Sequence, residues 1–262
     1  MAYQLATDAP EMARLAAQAD ALAEDAAILF DRIGVGPGWS CLDLGCGLGE
    51  VTRMLAARVG PAGRVCGLDQ EPRYLRHAEA IAVPNASYVQ ADALRSGLPA
   101  DSFDLVHGRL LTGATSTPEA LLREALRMTK PGGHVALQEN DAGFAACYPG
   151  HPAHARLKAM LGRGLNESGH GSGIARRLFG IFRDLGLQEV GYRPFVMSCR
   201  AGEPLTQWLP DIVQSLRATL LRAGWTTADA LDATLAECRA HLADPGTTQI
   251  LYLMVQVWGR KP

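Results

Sequence analysis

Residues 40–49 read Ser-Cys-Leu-Asp-Leu-Gly-Cys-Gly-Leu-Gly, a short apolar strand that runs directly into three alternating glycines. Gly45, Gly47 and Gly49 let the backbone turn sharply and approach a ligand with no Cβ in the way. Glu50 to Arg58 then reads as a helix, so the stretch predicts a strand, a ligand-touching turn and a helix start. A dinucleotide fingerprint, G-x-G-x-x-G, needs glycine at position 50. This chain has Glu50, whose negative charge would face a pyrophosphate across the helix N-terminus. A nucleotide-dependent oxidoreductase using NAD or FAD is therefore disfavoured. Asp43, just before the first glycine, suits a cationic ligand carrying a sulfonium and an ammonium better than a diphosphate.

Working outward, Arg64-Val65-Cys66-Gly67-Leu68-Asp69 is a second strand ending in a carboxylate 20 residues after Gly49. Two acceptor oxygens there can hold the two hydroxyls of a ribose. Ser87 to Ala93 reads as a third strand, with Asp92 near its end, and Ser102 to His107 as a fourth. A helix over Pro118–Met128 stops before the turn Lys130-Pro131-Gly132-Gly133, which leads into a fifth strand through Leu137. Strands alternating with helices predict a parallel sheet covered on both faces, with ligands at the strand carboxyl ends.

Together these segments resemble the class I S-adenosylmethionine-dependent methyltransferases. The match is close over residues 40–140 and looser over nearly the whole chain, including the closing Val255 to Arg260. The resemblance implies an α/β fold, a doubly wound and mostly parallel seven-stranded sheet with an N-terminal helical segment and a helical cap. It implies S-adenosylmethionine as cofactor and S-adenosylhomocysteine as its product. Carried over by motif, Asp43, Gly45, Cys46, Gly47 and Gly49 lie at the methionine part and Asp69 and Gln70 at the ribose. Asp92 and Ala93 meet the adenine, and the His107 backbone carbonyl meets the amino group. The opening Tyr3, Arg14 and Gln18 resemble the small-molecule branch, in which such a segment folds over the cofactor. Many similar sequences place a histidine where this chain has Ala114. The run Thr112 to Thr115 is small instead, which removes one possible base and enlarges the space there.

The chain has 262 residues, of which 48% are apolar and 28 are glycine, enough to bury a substantial core as one elaborated domain. A formal net charge of −2 and the absence of any basic run argue against a nucleic-acid partner. The first thirty residues hold five acidic side chains and no apolar run of signal or membrane length, so a cytoplasmic protein without a membrane partner is expected. Six scattered cysteines without a C-x-x-C pair encode neither a disulfide framework nor a zinc knuckle.

The expected organisation is an N-terminal helical segment or lid over 1–38, a cofactor-binding core over 39–142 and a cap segment over 143–173. Residues 174–262 complete the core and carry a helical insertion at about 203–244. The insertion is too long for a hairpin loop and too apolar for disorder, and it is expected to roof a substrate pocket. A self-complementary homodimer surface is compatible with the amphipathic opening helix and the cap.

Methyl transfer from a sulfonium is an in-line displacement with a neutral leaving group, so positioning and desolvation carry most of the rate. A general base adds about 10²- to 10⁴-fold where one is used. The candidates are His107, Glu139, Asp141 and His170. His107 at the end of the fourth strand serves catalysis directly, or orients and packs. Arg109 pairs with a carboxylate of the methionine region, or with Asp104 or another structural partner. Glu139, Asn140 and Asp141 end the fifth strand, placed for substrate binding or proton removal, or for capping the next element. His170 between two glycines is a mobile base or simply exposed. Tyr148, Trp208 and Trp225 offer flat faces to a substrate, or fill a core. His151 and His154 have an i, i+3 spacing but no third ligand, and no metal is expected.

The expected function is methyl transfer to an oxygen, nitrogen or carbon nucleophile of a small hydrophobic or aromatic metabolite, in the manner of natural-product tailoring enzymes. The rivals are a cyclase or rearrangement enzyme that keeps the bound sulfonium intact, and a non-catalytic cofactor-binding module.

Overall fold

The computed structural model describes residues 9–81, 83–115, 117–167 and 173–262. The chain opens with helices α1 (Ala9–Ala21) and α2 (Ala23–Ile33), then alternates β1 (Ser40–Leu44), α3 (Glu50–Val59), β2 (Arg64–Asp69), α4 (Pro72–Ala80) and β3 (Ala86–Gln90). Next come β4 (Phe103–Arg109), α5 (Pro118–Met128), β5 (Thr129–Asp141), β6 (Ala146–Tyr148), α6 (Pro152–Glu167), α7 (Ile174–Asp184) and β7 (Gln188–Arg200). Helices α8 (Trp208–Ser215), α9 (Arg217–Arg222) and α10 (Ala228–Leu242) precede the last strand, β8 (Thr248–Arg260). The strands form a sheet in the order β3-β2-β1-β4-β5-β8-β6, with β7 also paired to β8. β1 pairs parallel with both β2 and β4, and β6 pairs antiparallel with β8. The fold is thus an α/β fold with a mostly parallel sheet, as expected.

Among the described residues the sheet has eight strands, one short strand beyond the seven expected. The extra one, β6, is three residues long and has no periodicity of its own. Its register is set by β8, with Ala146 opposite Ile250 and Tyr148 opposite Thr248. The third strand ends at Gln90, short of Asp92, which lies in a turn where its Oδ1 accepts from Leu94 N at 2.9 Å. The Lys130–Gly133 turn is absorbed into β5. A register shift against β4 between Phe103 and Leu105 takes up the irregularity. There Lys130 Nζ holds both oxygens of Asp104 at 2.8 Å, and Asp104 Oδ2 also accepts from Ser40 N.

The chain divides into two compact units, with the divisions falling inside β5, β7 and β8. The sheet unit comprises residues 19–139, 174–193 and 255–262. Its core on one face joins Ala26, Leu29, Phe30 and Ile33 of α2 with Val51, Leu55 and Val59 of α3, over Cys41, Val65, Leu105 and Ala136 of the strands. The i, i+3, i+4, i+7 spacing of the α2 residues is the cause: it puts all four on one helix face. Gly34 in the left-handed region (φ +79°) ends that helix.

The helical unit comprises the described residues within 1–18, 140–173 and 194–254. In it α6 packs against α8 and α10. Trp208 lies edge-on to Tyr252 with ring centroids 4.8 Å apart. Thr227 caps α10 by accepting from Ala230 N. Among the described residues no helix is long and apolar enough to cross a membrane.

Candidate cofactor and active site

β1 is buried at all five positions and ends in the glycine turn. Gly45, Gly47 and Gly49 take φ of +66°, +53° and +83°, the left-handed region that glycine enters without a steric penalty. The three differ in what a Cβ would meet. At Gly49 it would lie 2.7 Å from Tyr88 Oη and 2.9 Å from Ala78 Cβ, so that glycine lets α3 and α4 pack closely. At Gly45 it would lie 2.9 Å from Leu111 Cδ1. At Gly47 nothing lies within 4 Å, so the loop is open to a ligand at its middle residue.

The loop is tied to the end of β2. Cys46 N donates to Leu68 O at 2.9 Å, and Gly47 N donates to Asp69 Oδ2 at 2.9 Å. Asp69 Oδ1 accepts from Glu71 N at 2.9 Å. Each carboxylate oxygen keeps a second lone-pair direction for a ligand hydroxyl. Burial raises the Asp69 carboxyl above the usual carboxylate range, against the pull of the Glu71, Gly47 and Gln70 N–H groups. A carboxylate beside an open, Cβ-free loop fits a ligand that carries a diol, which S-adenosylmethionine does. Gln70 and Asp92 are exposed and Ala93 is half-buried.

Asp43 sits differently from its expected role. It is 2% exposed, and its Oδ2 accepts from Thr52 Oγ1 at 2.8 Å while its Oδ1 meets His107 Nδ1 at 3.0 Å. His107 stands directly opposite it on β4 and has no exposed surface. A chain of hydrogen bonds fixes the histidine tautomer. Gln256 Nε2 donates to Gln138 Oε1 at 3.1 Å, which leaves Gln138 Nε2 to donate to His107 Nε2 at 2.9 Å. His107 therefore carries its proton on Nδ1 and donates to Asp43. Gln256 is held in turn by Arg193 Nη1 at its oxygen and by the Asp25 carbonyl at its nitrogen. In this structure both side chains are buried and hydrogen-bonded to protein groups, Asp43 to Thr52 and His107, and His107 to Gln138.

Two more candidate bases are also buried. Glu139 is 1% exposed, and its Oε1 accepts from Leu111 N at 2.7 Å and Thr112 N at 2.6 Å. Burial raises its carboxyl pKa, opposed by those N–H groups. Asp141 has no exposed surface, and its Oδ1 caps the turn Ala142–Phe144 by accepting from Gly143 N at 2.9 Å. Both carboxylates thus accept from backbone amides of nearby turns. Asn140 is half-buried. His170 and Tyr3 lie outside the described residues. Arg109 is half-buried at the end of β4, and Asp104 is held by Lys130 and by Ser40 N.

The remaining candidates fall in the helical unit. Arg14 Nη2 meets Glu11 Oε1 at 2.6 Å, and Arg14 Nη1 donates to Gln18 Oε1 at 3.1 Å. Gln18 Nε2 donates to Tyr252 Oη at 3.0 Å, so both ends of its amide are engaged within that unit. Trp208 is 1% exposed and fills the core of that unit. Trp225 is half-buried. Tyr148 is 75% exposed at a hollow of about 580 Å³ that Cys147, Cys199, Arg200, Gln249 and Ile250 also line.

His151 and His154 do not act as a pair. His151 stacks on His241 at 4.4 Å, whereas His154 is 3% exposed, with no hydrogen-bond partner for Nε2 among the described residues. Among those residues no group of three His, Cys, Asp or Glu side chains is placed to hold a metal. Burial, helped by the charges of Lys158, His241 and His151, pushes the His154 pKa down to about 4 from 6.5. Because the folded value lies below the unfolded one, the unfolded chain takes up the proton first as pH falls. Stability is expected to be at its full value above pH 6.5 and to fall by on the order of 3 kcal/mol by about pH 4. Urea unfolding of wild type and His154→Leu across this window checks it, the variant losing the slope.

Several residues that build the site carried little sequence signal. Gln138 and Gln256 are polar side chains inside apolar strands, and a buried polar residue in such a run is the mark that reveals them. Thr52 and Leu111 look ordinary in sequence.

The methyltransferase domain family matches residues 41–133. Demethylmenaquinone methyltransferase of Lactococcus lactis subsp. lactis is 39% identical over 116 residues, covering 42% of this chain and 45% of that protein. The chain spans about half the length of the curated relatives it matches. Among solved structures, a candidate methyltransferase from Bacillus halodurans C-125 aligns with a TM-score of 0.62 at 18% identity, over 91% of this chain and 99% of that one. The [4+2]-cyclase SpnF aligns at 0.55 and 17% identity, over 91% and 80%. At these identities the structures speak for the fold alone. With the glycine turn, the acidic end of β2 and the sheet order, the matches establish that residues 41–133 are a class I S-adenosylmethionine-dependent methyltransferase domain.

Proposed function

We propose that the protein transfers a methyl group from S-adenosylmethionine to an oxygen, nitrogen or carbon nucleophile of a small hydrophobic or aromatic metabolite. The observation that carries the reading is the open Gly47 backbone tied at 2.9 Å to Asp69, a built site for a ligand with a diol. When bound, S-adenosylmethionine supplies a methyl group on a sulfonium whose leaving group is a neutral thioether. The chain's own part is to bind and to orient. Asp69 takes the hydroxyls, the glycine turn admits the ligand backbone closely, and Leu111 seats the loop from above Gly45.

With His107, Glu139 and Asp141 buried and paired, positioning and the exclusion of water carry the rate, and those contributions need no base. For the substrate, the sequence carries no basic run that would suit a polyanion. The quinone precursor named for the Lactococcus relative makes aromatic ring compounds the first class to assay.

Incubation with S-adenosylmethionine and a panel of phenols, hydroquinones and aromatic amines is expected to yield methylated product and S-adenosylhomocysteine one for one by mass spectrometry. A converted substrate without S-adenosylhomocysteine would instead assign a cyclisation or rearrangement. No conversion of any compound, with cofactor bound, would favour a binding module.

A further inference from the structure

Leu110 follows β4 with φ of +55°, a left-handed conformation that a branched aliphatic side chain rarely adopts without being held there. Its amide donates to Gln138 O at 2.8 Å. The next two amides, Leu111 N and Thr112 N, both donate to one oxygen, Glu139 Oε1, at 2.7 and 2.6 Å. Three successive N–H groups are thus fixed by the end of β5, and the chain turns over so that the Leu111 side chain lands on the glycine loop. A Cβ on Gly45 would lie 2.9 Å from Leu111 Cδ1, and one on Gly108 would lie 3.6 Å from Leu111 Cδ2. Gly45 is the first residue of the loop whose third residue, Gly47, bonds to Asp69.

We propose that Glu139 is a positioning residue for the cofactor site. Its buried carboxyl oxygen holds the Leu110–Thr112 turn in its left-handed form and so keeps Leu111 seated on Gly45, which sets the loop that receives the cofactor. This role rests on the cofactor reading given above, and it replaces proton transfer as the reason for a carboxylate at the end of β5. Because the Leu111 and Thr112 amides use the same oxygen, glutamine keeps an acceptor for them while weakening the contacts that the Thr112 hydroxyl and Gly113 amide also make to the carboxyl, and leucine keeps none.

The test is calorimetric titration with S-adenosylhomocysteine, with melting temperature recorded for each variant. Glu139→Gln is expected to bind within about threefold of wild type, and Glu139→Leu at least about tenfold more weakly, since the amides lose their acceptor. Leu111→Ala leaves the hydrogen bonds in place and removes only the contact with Gly45. It is expected to bind about fivefold more weakly with little change in melting temperature. Leu110→Gly, which takes positive φ freely, is expected to bind as wild type.

A folded Glu139→Leu with wild-type affinity overturns the proposal. If that variant does not fold, wild-type affinity in Leu111→Ala overturns it. Failure of the wild-type protein itself to bind S-adenosylhomocysteine removes the cofactor reading, and the proposal with it, a result distinct from equal binding by wild type and variants.

Discussion

Asp69→Ala is expected to weaken S-adenosylhomocysteine binding by on the order of a hundredfold, because two hydroxyl donors lose a charged acceptor. The same substitution frees Gly47 N and Glu71 N, which both bond to this carboxylate. Asp69 is only half-buried, so water can reach those amides, and the chain is expected to stay folded with about 1 kcal/mol lost. Asp69→Asn keeps one acceptor oxygen and is expected to fall between the two. The raised carboxyl adds a signature in pH. Affinity is expected to fall on acidification beginning above the usual carboxylate range, because Asp69 protonates early. Calorimetry at several pH values, with far-UV circular dichroism as the fold control, reads all of this. A fully folded Asp69→Ala that binds as wild type would place the ribose elsewhere.

The largest effect on stability is expected at Asp43. Its carboxylate accepts from Thr52 and His107 at full burial, and removing it leaves a hydroxyl and an imidazole N–H without an acceptor inside the sheet. Breaking such a network costs about 3 kcal/mol, several times the value of a surface pair. For a chain of this size that is a fall in melting temperature of roughly 6 to 12 °C. His107→Leu in the Asp43→Ala background should cost less than the sum of the two singles, since the partner it removes is already unpaired. Additive losses in the double mutant would mean that the two residues do not act as one unit. Loss of cofactor affinity in Asp43→Ala without loss of stability would restore the ligand role read from the sequence.

The legible parts of the fold were those whose physics is local. The alternation of β1, α3 and β2 follows from apolar runs, glycine geometry and helical spacing, each visible within about ten residues. The end of β3 is not legible in this way, because Asp92, though it follows a good strand, takes up its own turn with Leu94. β6 was invisible, since three residues among glycine and proline pair only because β8 presents an edge.

At the site, chain spacing singled out Gly47 and Asp69, which the structure joins by a 2.9 Å hydrogen bond. It did not tell which carboxylates are open and which are interior. Asp43 and Asp69 both lie near the ends of apolar strands, and the packing of Thr52 and His107 against Asp43 distinguishes them. Glu139 and Asp141 likewise read as site acids, and the amides that occupy them belong to distant or later turns. Burial of a charged side chain is a tertiary property, and its local sequence was compatible with either outcome.

The most direct test of the account is calorimetric titration of the wild-type protein with S-adenosylhomocysteine, run beside NADH. One-to-one micromolar binding of S-adenosylhomocysteine and no heat from NADH are expected from the open Gly47 loop and from Glu50 at the start of α3. Binding of NADH alone, or of neither ligand, would contradict it.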